Sequence, residues 1–321
     1  MSSASSGAIR FIDRDEVIRR LSYERCIPIV REAMIAFSRG DTKQLLRSYI
    51  PLSEGRIFGI MPGALGAHEA FGAKLISVFR DNAAKGKQSH QGLVLLFDPD
   101  SGAPVCAVDG GEVTAIRTAA ASAVATDALA LPDAHRLAIF GTGEQALTHL
   151  RAIAKVRKLT SAAVWGRSPE RARTLVAKHR SEFSFSVTAV ESGEEAAAGA
   201  DILCTVTGAS EPILKGAWVR PGTHVNLVGS SYPGPAEVDN DLVVRSRFIA
   251  DSREGILRQG AEFLRAKEAA LIGDDHIVAE IGEVLAGKIE GRCSPDEITV
   301  YKSIGHIVQD LASAWALYSD S

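Results

Sequence analysis

A glycine-rich stretch near the middle of the chain has the spacing of a dinucleotide-binding turn. Gly141, Gly143 and Ala146 form the pattern G-x-G-x-x-A directly after the apolar residues 136–140, which predict a buried strand. The first glycine permits a sharp turn, the second lets a pyrophosphate approach the backbone, and the alanine lets the next helix pack closely. Free N–H groups and the positive helix end attract the anion. The predicted cofactor contacts are Gly141, Thr142, Gly143, Glu144, Gln145 and Ala146.

The end of the next predicted strand indicates which dinucleotide binds. The apolar residues 161–165 are followed by Gly166, Arg167 and Ser168, with Arg171 nearby. A site for NAD carries Asp or Glu at this point to bind the ribose 2′-hydroxyl, whereas a guanidinium and a hydroxyl suit a 2′-phosphate. We therefore expect these four residues to bind NADP(H), with NAD(H) as the alternative. A second interpretation leaves Arg167 solvated and gives Ser168 only the cap of the next helix.

Three cations inside apolar runs are the second chemical signal. Arg47 opens an apolar strand, Lys74 lies in F-G-A-K-L-I-S-V-F, and Arg117 lies in T-A-I-R-T-A-A-A. A cation in such surroundings costs several kcal/mol unless an anion meets it. One hypothesis is that the three side chains converge on a substrate carboxylate. The alternative is that each pairs with a local Asp or Glu, or that its head group reaches water.

The length and composition of the chain limit the classes of protein and partner that fit these residues. The chain has 321 residues, enough for one large or two medium domains, and its formal net charge of −3 gives no reason to expect nucleic acid or a membrane as partner. No apolar run reaches the length of a membrane span, and residues 1–7 look like a frayed tail rather than a signal peptide. Four cysteines match no metal or C-x-x-C spacing, so we expect no metal site and core thiols in a reducing cytoplasm, at Cys26, Cys106, Cys204 and Cys293.

The pattern of apolar residues predicts two kinds of domain. Residues 13–39 predict two helices with a break near Ser22, and short apolar runs from 46 to 108 predict a mostly antiparallel sheet. Residues 136–251 alternate strand and helix, as in a doubly wound sheet. The chain after Arg253 is predicted to be helical, to pass through residues 297–305 and to end in an amphipathic helix at 307–318. Thr207 and Gly229 follow predicted strands of this sheet, at the edge where ligands bind, and are further candidate cofactor contacts.

With these motifs the chain resembles the ornithine cyclodeaminase/mu-crystallin family over nearly its whole length. The resemblance implies an α/β protein, in which a Rossmann-type doubly wound domain (residues 119–306) is inserted in a second α+β domain (residues 1–118 plus 307–321). That second domain is expected to bind substrate and to form a homodimer. The matching stretches include Gly72-Ala73-Lys74, His90-Gln91-Gly92, Arg117-Thr118-Ala119-Ala120, Gly141-Thr142-Gly143 and Tyr301-Lys302-Ser303-Ile304-Gly305.

The resemblance also gives roles to single residues. It implies that Arg47, Lys74 and Arg117 bind the carboxylate of an amino or imino acid. It further implies that a few residues lie near the nicotinamide or its ribose. These residues are Thr118, Lys302, Ser303 and Gly305.

One departure from the family pattern separates two activities. Cyclodeaminases of the family carry an Asp in the segment Val-Gly-x-Asp, where this chain has Ser231. A serine hydroxyl cannot take a proton from an amine as a carboxylate does. Cyclodeamination also recycles NAD+, whereas Arg167 and Ser168 favour NADP(H). Both features indicate the branch that resembles the ketimine reductases.

The predicted activity is therefore NADPH-dependent reduction of a cyclic imino acid by hydride transfer to C=N. The expected products are L-proline from Δ1-pyrroline-2-carboxylate, or L-pipecolate from Δ1-piperideine-2-carboxylate. Lys74, Ser231 or a water held by them is the candidate proton donor. His90 and His306 are weaker candidates for the pocket, and Asp310 is given a structural or helix-surface role.

Three alternatives stay open at this point. The scaffold could serve another amino acid dehydrogenase, such as alanine dehydrogenase or an opine-type enzyme, which would depend on free ammonia or an amine. It could be an ornithine cyclodeaminase that tolerates Ser231, which would release ammonia. It could also be a protein that binds NADPH and a small acid without turnover.

Overall fold

The computed structural model describes residues 8–66 and 69–320, with the backbone alone for Arg80, Ala83 and Ala84. The expectation for residues 1–7 lies outside this range. The chain forms two compact units, one made of the residues up to Arg117 and from His306 onward, the other of residues 118–305. None of the helices in the described ranges is both long and apolar enough to span a bilayer.

The first unit is built on a seven-stranded sheet. Its strands are β1 (Arg10–Ile12), β2 (Lys43–Gln44), β3 (Ser48–Ser53), β4 (Arg56–Ala64), β5 (Phe71–Phe79), β6 (His90–Phe97) and β7 (Pro104–Asp109). They are ordered β1-β7-β6-β5-β4-β2, and β3 also pairs with β4. The prediction of a mostly antiparallel sheet is confirmed, and β1, which the sequence did not predict, adds a parallel edge to β7.

Helices α1 (Arg14–Arg20) and α2 (Tyr23–Arg39) form where the sequence predicted them, and α3 (Gly110–Leu129) follows β7. The Asp13 carboxylate caps α1 by accepting the Glu16 N–H at 2.8 Å. Gly40 ends α2 with a left-handed φ of 83°, which a residue without Cβ adopts at little cost. The predicted break near Ser22 is confirmed, since the chain is non-helical between α1 and α2.

The second unit is built on an eight-stranded sheet in which every pair is parallel. Its strands are β8 (Arg136–Phe140), β9 (Ser161–Trp165), β10 (Ser186–Ala189), β11 (Ile202–Thr205), β12 (His224–Leu227), β13 (Ser246–Ala250), β14 (Ile277–Glu280) and β15 (Ile298–Lys302). They are ordered β10-β9-β8-β11-β12-β15-β13-β14. The doubly wound sheet is confirmed. Helices follow Arg253 as predicted, but the sequence analysis did not predict the strands β14 and β15. Both extra strands complete the sheet, β15 in a fully buried position and β14 at an edge.

Helices alternate with these strands, and one more helix ends the chain. The helices are α4 (Glu144–Ile153), α5 (Pro169–His179), α6 (Gly193–Ala198), α7 (Asn240–Arg245), α8 (Arg253–Gln259), α9 (Ala261–Glu268), α10 (Ile281–Leu285) and α11 (Ile307–Ser319). Short 3-10 helices span Arg80–Lys85, Arg180–Glu182, Gly216–Trp218 and Asp274–His276.

Helix α11 belongs to the first unit, where it packs against α2 and against β4, β5 and β6. Ile307, Leu311 and Ala314 repeat at helical spacing and are buried. Asp310 lies on the same buried face as these apolar residues, so the helix carries a carboxylate toward the sheet. Of the two roles predicted for Asp310, structural or helix-surface, the helix-surface one is therefore wrong.

The cysteines have the burial expected of core thiols with one exception. Cys26, Cys106 and Cys204 are buried, whereas Cys293 is exposed. Cys293 follows α10 in a turn before β15 rather than lying in an apolar run, which is why the expectation fails there.

Candidate active site

A cluster of charged side chains is buried in the first unit. Lys74 points inward from β5, Arg117 lies on α3, and Asp310 lies on α11. The Asp310 Oδ1 atom accepts hydrogen bonds from Lys74 Nζ at 2.9 Å and from Arg117 Nε at 3.0 Å. Lys74 is 2% exposed and Asp310 is 0% exposed, so both ion pairs are shielded from water. Two of the three predicted cations therefore share one carboxylate.

Gln309 fixes a second edge of the Arg117 guanidinium. Its Oε1 accepts a hydrogen bond from Arg117 Nη1 at 2.8 Å, and its amide N–H lies 3.3 Å from the sulfur of Met34. With Nε and Nη1 engaged, the hydrogen bonds among the described residues leave Arg117 Nη2 without a protein partner. Arg117 thus has a fixed orientation and retains N–H groups that could bind an anion.

Arg47 lies near the same cluster. It is half-buried just before β3, and its Nη1 donates to the Tyr49 hydroxyl at 3.2 Å. Its positive charge contributes to the lowered pKa values of Lys74, His90 and His306. The fold therefore brings Arg47, Lys74 and Arg117 into one region. Lys74 and Arg117 pair with Asp310, and the convergence of the three cations on a substrate carboxylate stays a prediction.

The environment of Lys74 makes its charge state responsive near neutral pH. Burial lowers the pKa of Lys74 to about 7, with Asp310 opposing the fall and the charges of Arg117 and Arg47 adding to it. Asp310 stays ionised, because Arg117 and Lys74 hold its pKa below the ordinary value even though burial alone would raise it. The cluster therefore has an excess of positive charge, which suits one ligand carboxylate.

Two histidines border this cluster as neutral groups. Burial, followed by the charges of Lys74, Arg117 and Arg47, lowers the pKa of His90 to about 4. The His90 residue retains exposed surface, although protein atoms surround much of its ring. Burial and Arg47 lower the pKa of His306 to about 3, and its ring packs 4.2 Å from that of Phe37. Both rings can therefore shape a pocket without adding charge at neutral pH.

The glycine turn of the second unit has the geometry that a dinucleotide needs. Gly141 has a φ of 145°, and a Cβ there would lie 2.9 Å from the Val206 carbonyl oxygen, so only glycine fits. A Cβ on Gly143 would meet no atom within 4 Å, which leaves space beside the N-terminus of α4. Gly143 also provides no side-chain cap, so N–H groups of the first turn remain for an anion.

The turn after β9 lies against the glycine turn. A Cβ on Gly166 would approach the Thr142 side chain to 2.6 Å, so the two turns are in contact. Ser168 caps α5 by accepting the Arg171 N–H at 3.4 Å. Arg167 and Arg171 are exposed, and neither forms an ion pair within residues 8–66 and 69–320. Two cations thus lie next to the predicted adenosine end of the site.

The remaining predicted cofactor residues follow the same sheet edge. Because β9, β8, β11, β12 and β15 are parallel neighbours, the residues directly after them lie along one edge. Buried Thr118 lies on α3 in the same unit, and half-buried Ser231 lies in the loop after β12. The Ser303 hydroxyl is buried and has no hydrogen-bond partner in the described chain, as a site for a polar ligand would require. The residues along the edge are Gly141, Gly166, Thr207, Gly229 and Ser303.

Acidic residues that the sequence analysis missed hold this edge together. The Glu237 carboxylate accepts the N–H of Thr207 at 2.6 Å and that of Gly229 at 2.7 Å. The Glu262 carboxylate lies 2.8 Å from Lys302 Nζ, which also donates to the Ser230 carbonyl oxygen. The Lys302 side chain is fully enclosed by this network, so a cofactor could meet its backbone but not its ammonium group.

A third acidic residue fixes the turn after β15. The Asp251 carboxylate accepts the N–H groups of Ile304 and Gly305 at 2.7 and 2.8 Å. Gly305 has a left-handed φ of 80°. The Asp251 carboxylate therefore holds the predicted loop at Ser303 and Gly305 in one conformation.

A usable signal for one missed residue was present in the sequence. Asp310 lies within the otherwise apolar stripe of the last helix. A carboxylate on such a buried face needs a cation as partner. For Glu237 and Glu262 no such signal existed, because they lie in a loop and on a short helix between two strands.

Comparisons with known proteins agree with this architecture. Residues 10–321 match the model of the ornithine cyclodeaminase/mu-crystallin family. The chain is 37% identical over 313 residues to the ketimine reductase mu-crystallin of Rattus norvegicus, with 96% of each chain covered.

Two solved structures are similar to the whole chain. One is the Δ1-pyrroline-2-carboxylate reductase of Thermococcus litoralis in complex with NADH and L-proline, at TM-score 0.93 and 34% identity, covering 96% of each chain. The other is an archaeal alanine dehydrogenase dimer with bound NAD, at TM-score 0.90 and 27% identity, covering 97% of this chain and 95% of that one. The chain is an enzyme of the oxidoreductase class, and it belongs to the ornithine cyclodeaminase/mu-crystallin family.

Proposed function

We propose that the chain reduces the C=N bond of a cyclic imino acid with NADPH. The substrates are Δ1-pyrroline-2-carboxylate, which gives L-proline, and Δ1-piperideine-2-carboxylate, which gives L-pipecolate. The observation that carries the proposal is the cluster in which Lys74 and Arg117 share the carboxylate of Asp310, with Arg47 nearby. Its excess positive charge is matched by one substrate carboxylate, and the relatives named as imine reductases support the choice of substrate class.

The reaction needs a hydride at the imine carbon and a proton at the imine nitrogen. Bound NADPH supplies the hydride. Arg47 and Arg117 bind the substrate carboxylate and so fix the direction of the imine carbon, an orientation that can contribute about 7–11 kcal/mol in favourable cases. Lys74 donates a proton to the imine nitrogen and becomes a neutral amine. That amine then regains a proton from solvent. A group with a pKa of about 7 is suited to this exchange.

Ser231 supports reduction over cyclodeamination. It stands where the cyclodeaminase pattern has Asp, and it lies in the loop after β12 at the ligand-binding edge of the sheet. A hydroxyl at this position can hydrogen-bond the substrate or a water but cannot hold the proton of a departing amine. We assign Ser231 a polar contact with the substrate or with a water molecule.

The preference for NADPH rests on the loop after β9. Arg167 and Arg171 present cations there, Ser168 presents a hydroxyl, and Gly166 carries no side chain. A 2′-phosphate would gain charge-assisted hydrogen bonds from this loop, whereas NADH would leave its cations unmatched. The comparison structures with NADH or NAD support a nicotinamide dinucleotide in general.

The enzyme is proposed to act as a homodimer joined through the first unit. Exposed apolar side chains on β3 support this, with Ile50 51% exposed and Leu52 54% exposed. The archaeal alanine dehydrogenase of similar structure is a dimer. Sedimentation equilibrium of the purified chain tests this part, and a monomer at micromolar concentration would contradict it.

The activity is tested by following nicotinamide absorbance with Δ1-pyrroline-2-carboxylate and with NADPH or NADH. A parallel assay measures ammonia release from L-ornithine with NAD+. Oxidation of NADPH by the imine without ammonia release is the expected result. Ammonia from ornithine would make the chain a cyclodeaminase, oxidation that requires free ammonia and a 2-oxo acid would make it an amino acid dehydrogenase, and tight NADPH binding without oxidation would make it a binding protein.

A further inference from the structure

The carboxylate of Asp310 is bonded in an uneven way. Its Oδ1 accepts from both Lys74 and Arg117, whereas its Oδ2 is buried and has no partner within the described part of the chain. A buried acceptor without a partner has lost its hydration and gained nothing in return. Stability alone therefore does not explain why this carboxylate lies here, and a functional role does.

The shared oxygen fixes two cations relative to each other. Lys74 Nζ and Arg117 Nε both lie within 3.0 Å of the same atom, although one side chain comes from β5 and the other from α3. A substrate whose carboxylate binds Arg117 must therefore present its adjacent atoms to Lys74. In Δ1-pyrroline-2-carboxylate the carbon that carries the carboxylate is the imine carbon, and one of its two ring neighbours is the imine nitrogen.

We propose that Asp310 is a positioning residue of the reductase, which aligns Arg117 with the substrate carboxylate and Lys74 with the imine nitrogen, and whose charge favours the ammonium form of Lys74. This inference rests on the proposed function. Asp310 acts through Lys74 and Arg117 and does not itself contact the reacting atoms.

The groups around Lys74 explain the electrostatic part of this role. Besides Asp310, the charged groups near Lys74 are Arg117 on α3 and Arg47 before β3, and both disfavour its protonated form. His90 on β6 and His306 before α11 are neutral at pH 7. Cys26 on α2 is also neutral, because burial raises its pKa to about 12. Asp310 is therefore the group that opposes burial and the two arginines.

The central experiment compares wild type with Asp310→Asn. Asparagine keeps an oxygen in place of Oδ1 and removes the charge. Since a proton donor must be protonated to act, the rate with Δ1-pyrroline-2-carboxylate should fall as the pH rises through the Lys74 pKa. We expect the midpoint near pH 7 in wild type and at least one pH unit lower in Asp310→Asn, with a loss of kcat/KM at pH 7.5 of about eightfold or more. NADPH affinity, measured by fluorescence titration, should be unchanged.

Gln309→Met is the matched control. Gln309 lies on the same helix, is equally buried and contacts the same guanidinium, but it carries no charge. We expect this variant to raise the KM for the imine, because Arg117 loses one hydrogen bond, and to leave the midpoint of the pH profile in place. A midpoint that moves as far as in Asp310→Asn would mean that the shift reflects disturbed packing and would overturn the inference.

A second variant keeps the test valid if Asp310→Asn does not fold. Gln309→Glu places an additional carboxylate against Arg117 and is close to isosteric, and it should move the midpoint to higher pH. If wild type reduces the imine and the midpoint of the pH profile is unchanged in Asp310→Asn and in Gln309→Glu, the role proposed for Asp310 is overturned. The proposed function would then remain intact. A wild type that reduces no cyclic imine would overturn the proposed function itself, and the inference with it.

Discussion

Two buried lysines, one in each unit, look alike in the sequence and have opposite surroundings in the fold. Lys74 lies in the strand β5 and Lys302 ends the strand β15, and both side chains are almost completely buried. Lys302 faces the Glu262 carboxylate and donates to a backbone carbonyl, with Glu237 bonded to Glu262 through its N–H. Lys74 instead shares a single carboxylate with Arg117 and is near a further arginine.

The difference shows how a buried charge is assigned to structure or to chemistry. Around Lys302 the carboxylates outnumber the cations, so its charge is compensated and its N–H groups are used within the protein. Around Lys74 the cations outnumber the carboxylates, which fits the proposed binding of a substrate anion. Apolar flanks predict that a lysine is buried in either case, and only the count of opposing charges separates the two roles.

Removing Lys74 should have the largest effect on activity. Lys74→Met eliminates the proposed proton donor, so we expect kcat/KM for the imine to fall by about 10²–10⁴-fold. The free energy of unfolding should change little, because Asp310 keeps its ion pair with Arg117. Steady-state kinetics and urea denaturation measure the two quantities. A variant that retains a tenth of the wild-type activity would contradict the role of Lys74.

Removing Lys302 should affect stability first. Lys302→Met leaves the Glu262 carboxylate buried and unpaired, and breaking a buried pair in this way costs about 3–5 kcal/mol of unfolding free energy. The double variant Lys302→Met/Glu262→Gln removes the orphaned charge as well, and should recover much of the loss. Urea denaturation of both variants measures this. If the single variant were as stable as wild type, the two lysines would not differ in the way described.

The contrast also marks what the sequence could reveal. The turn at Gly141 and the cap at Asp13 were predictable, because each depends on residues adjacent in the chain. Burial of Lys74 and Lys302 was predictable from their apolar flanks. Their partners were not, because Asp310 lies 236 residues from Lys74, and the pairing depends on which helix packs on which strand. Strand β14 was missed for another reason. Four residues at a sheet edge are too short to show a clear alternation of apolar and polar residues.

The arginines of the second unit extend the comparison to exposed charges. Arg167 has no ion pair in the described chain, whereas Arg173 pairs with Glu191 at 2.7 Å. Arg167→Ala should lower kcat/KM for NADPH by about 10- to 100-fold, because a charge-assisted hydrogen bond to the 2′-phosphate is lost. The kcat/KM of this variant for NADH should stay within about threefold of the wild-type value, since NADH lacks the 2′-phosphate. Arg173→Ala is the control, and equal losses in both variants would argue against a specific phosphate contact.

The smallest expected effect concerns a serine with two roles. Ser168 caps α5 and is also proposed to bind the 2′-phosphate, whereas Ser192 caps α6 in the same way without a predicted ligand. Either serine changed to alanine should lose about 1 kcal/mol of stability, since the cap hydrogen bond is removed. Only Ser168→Ala should also raise the KM for NADPH, by a few-fold. If the KM rose equally in both variants, Ser168 would be a helix cap alone, and the preference for NADPH would depend on the arginines.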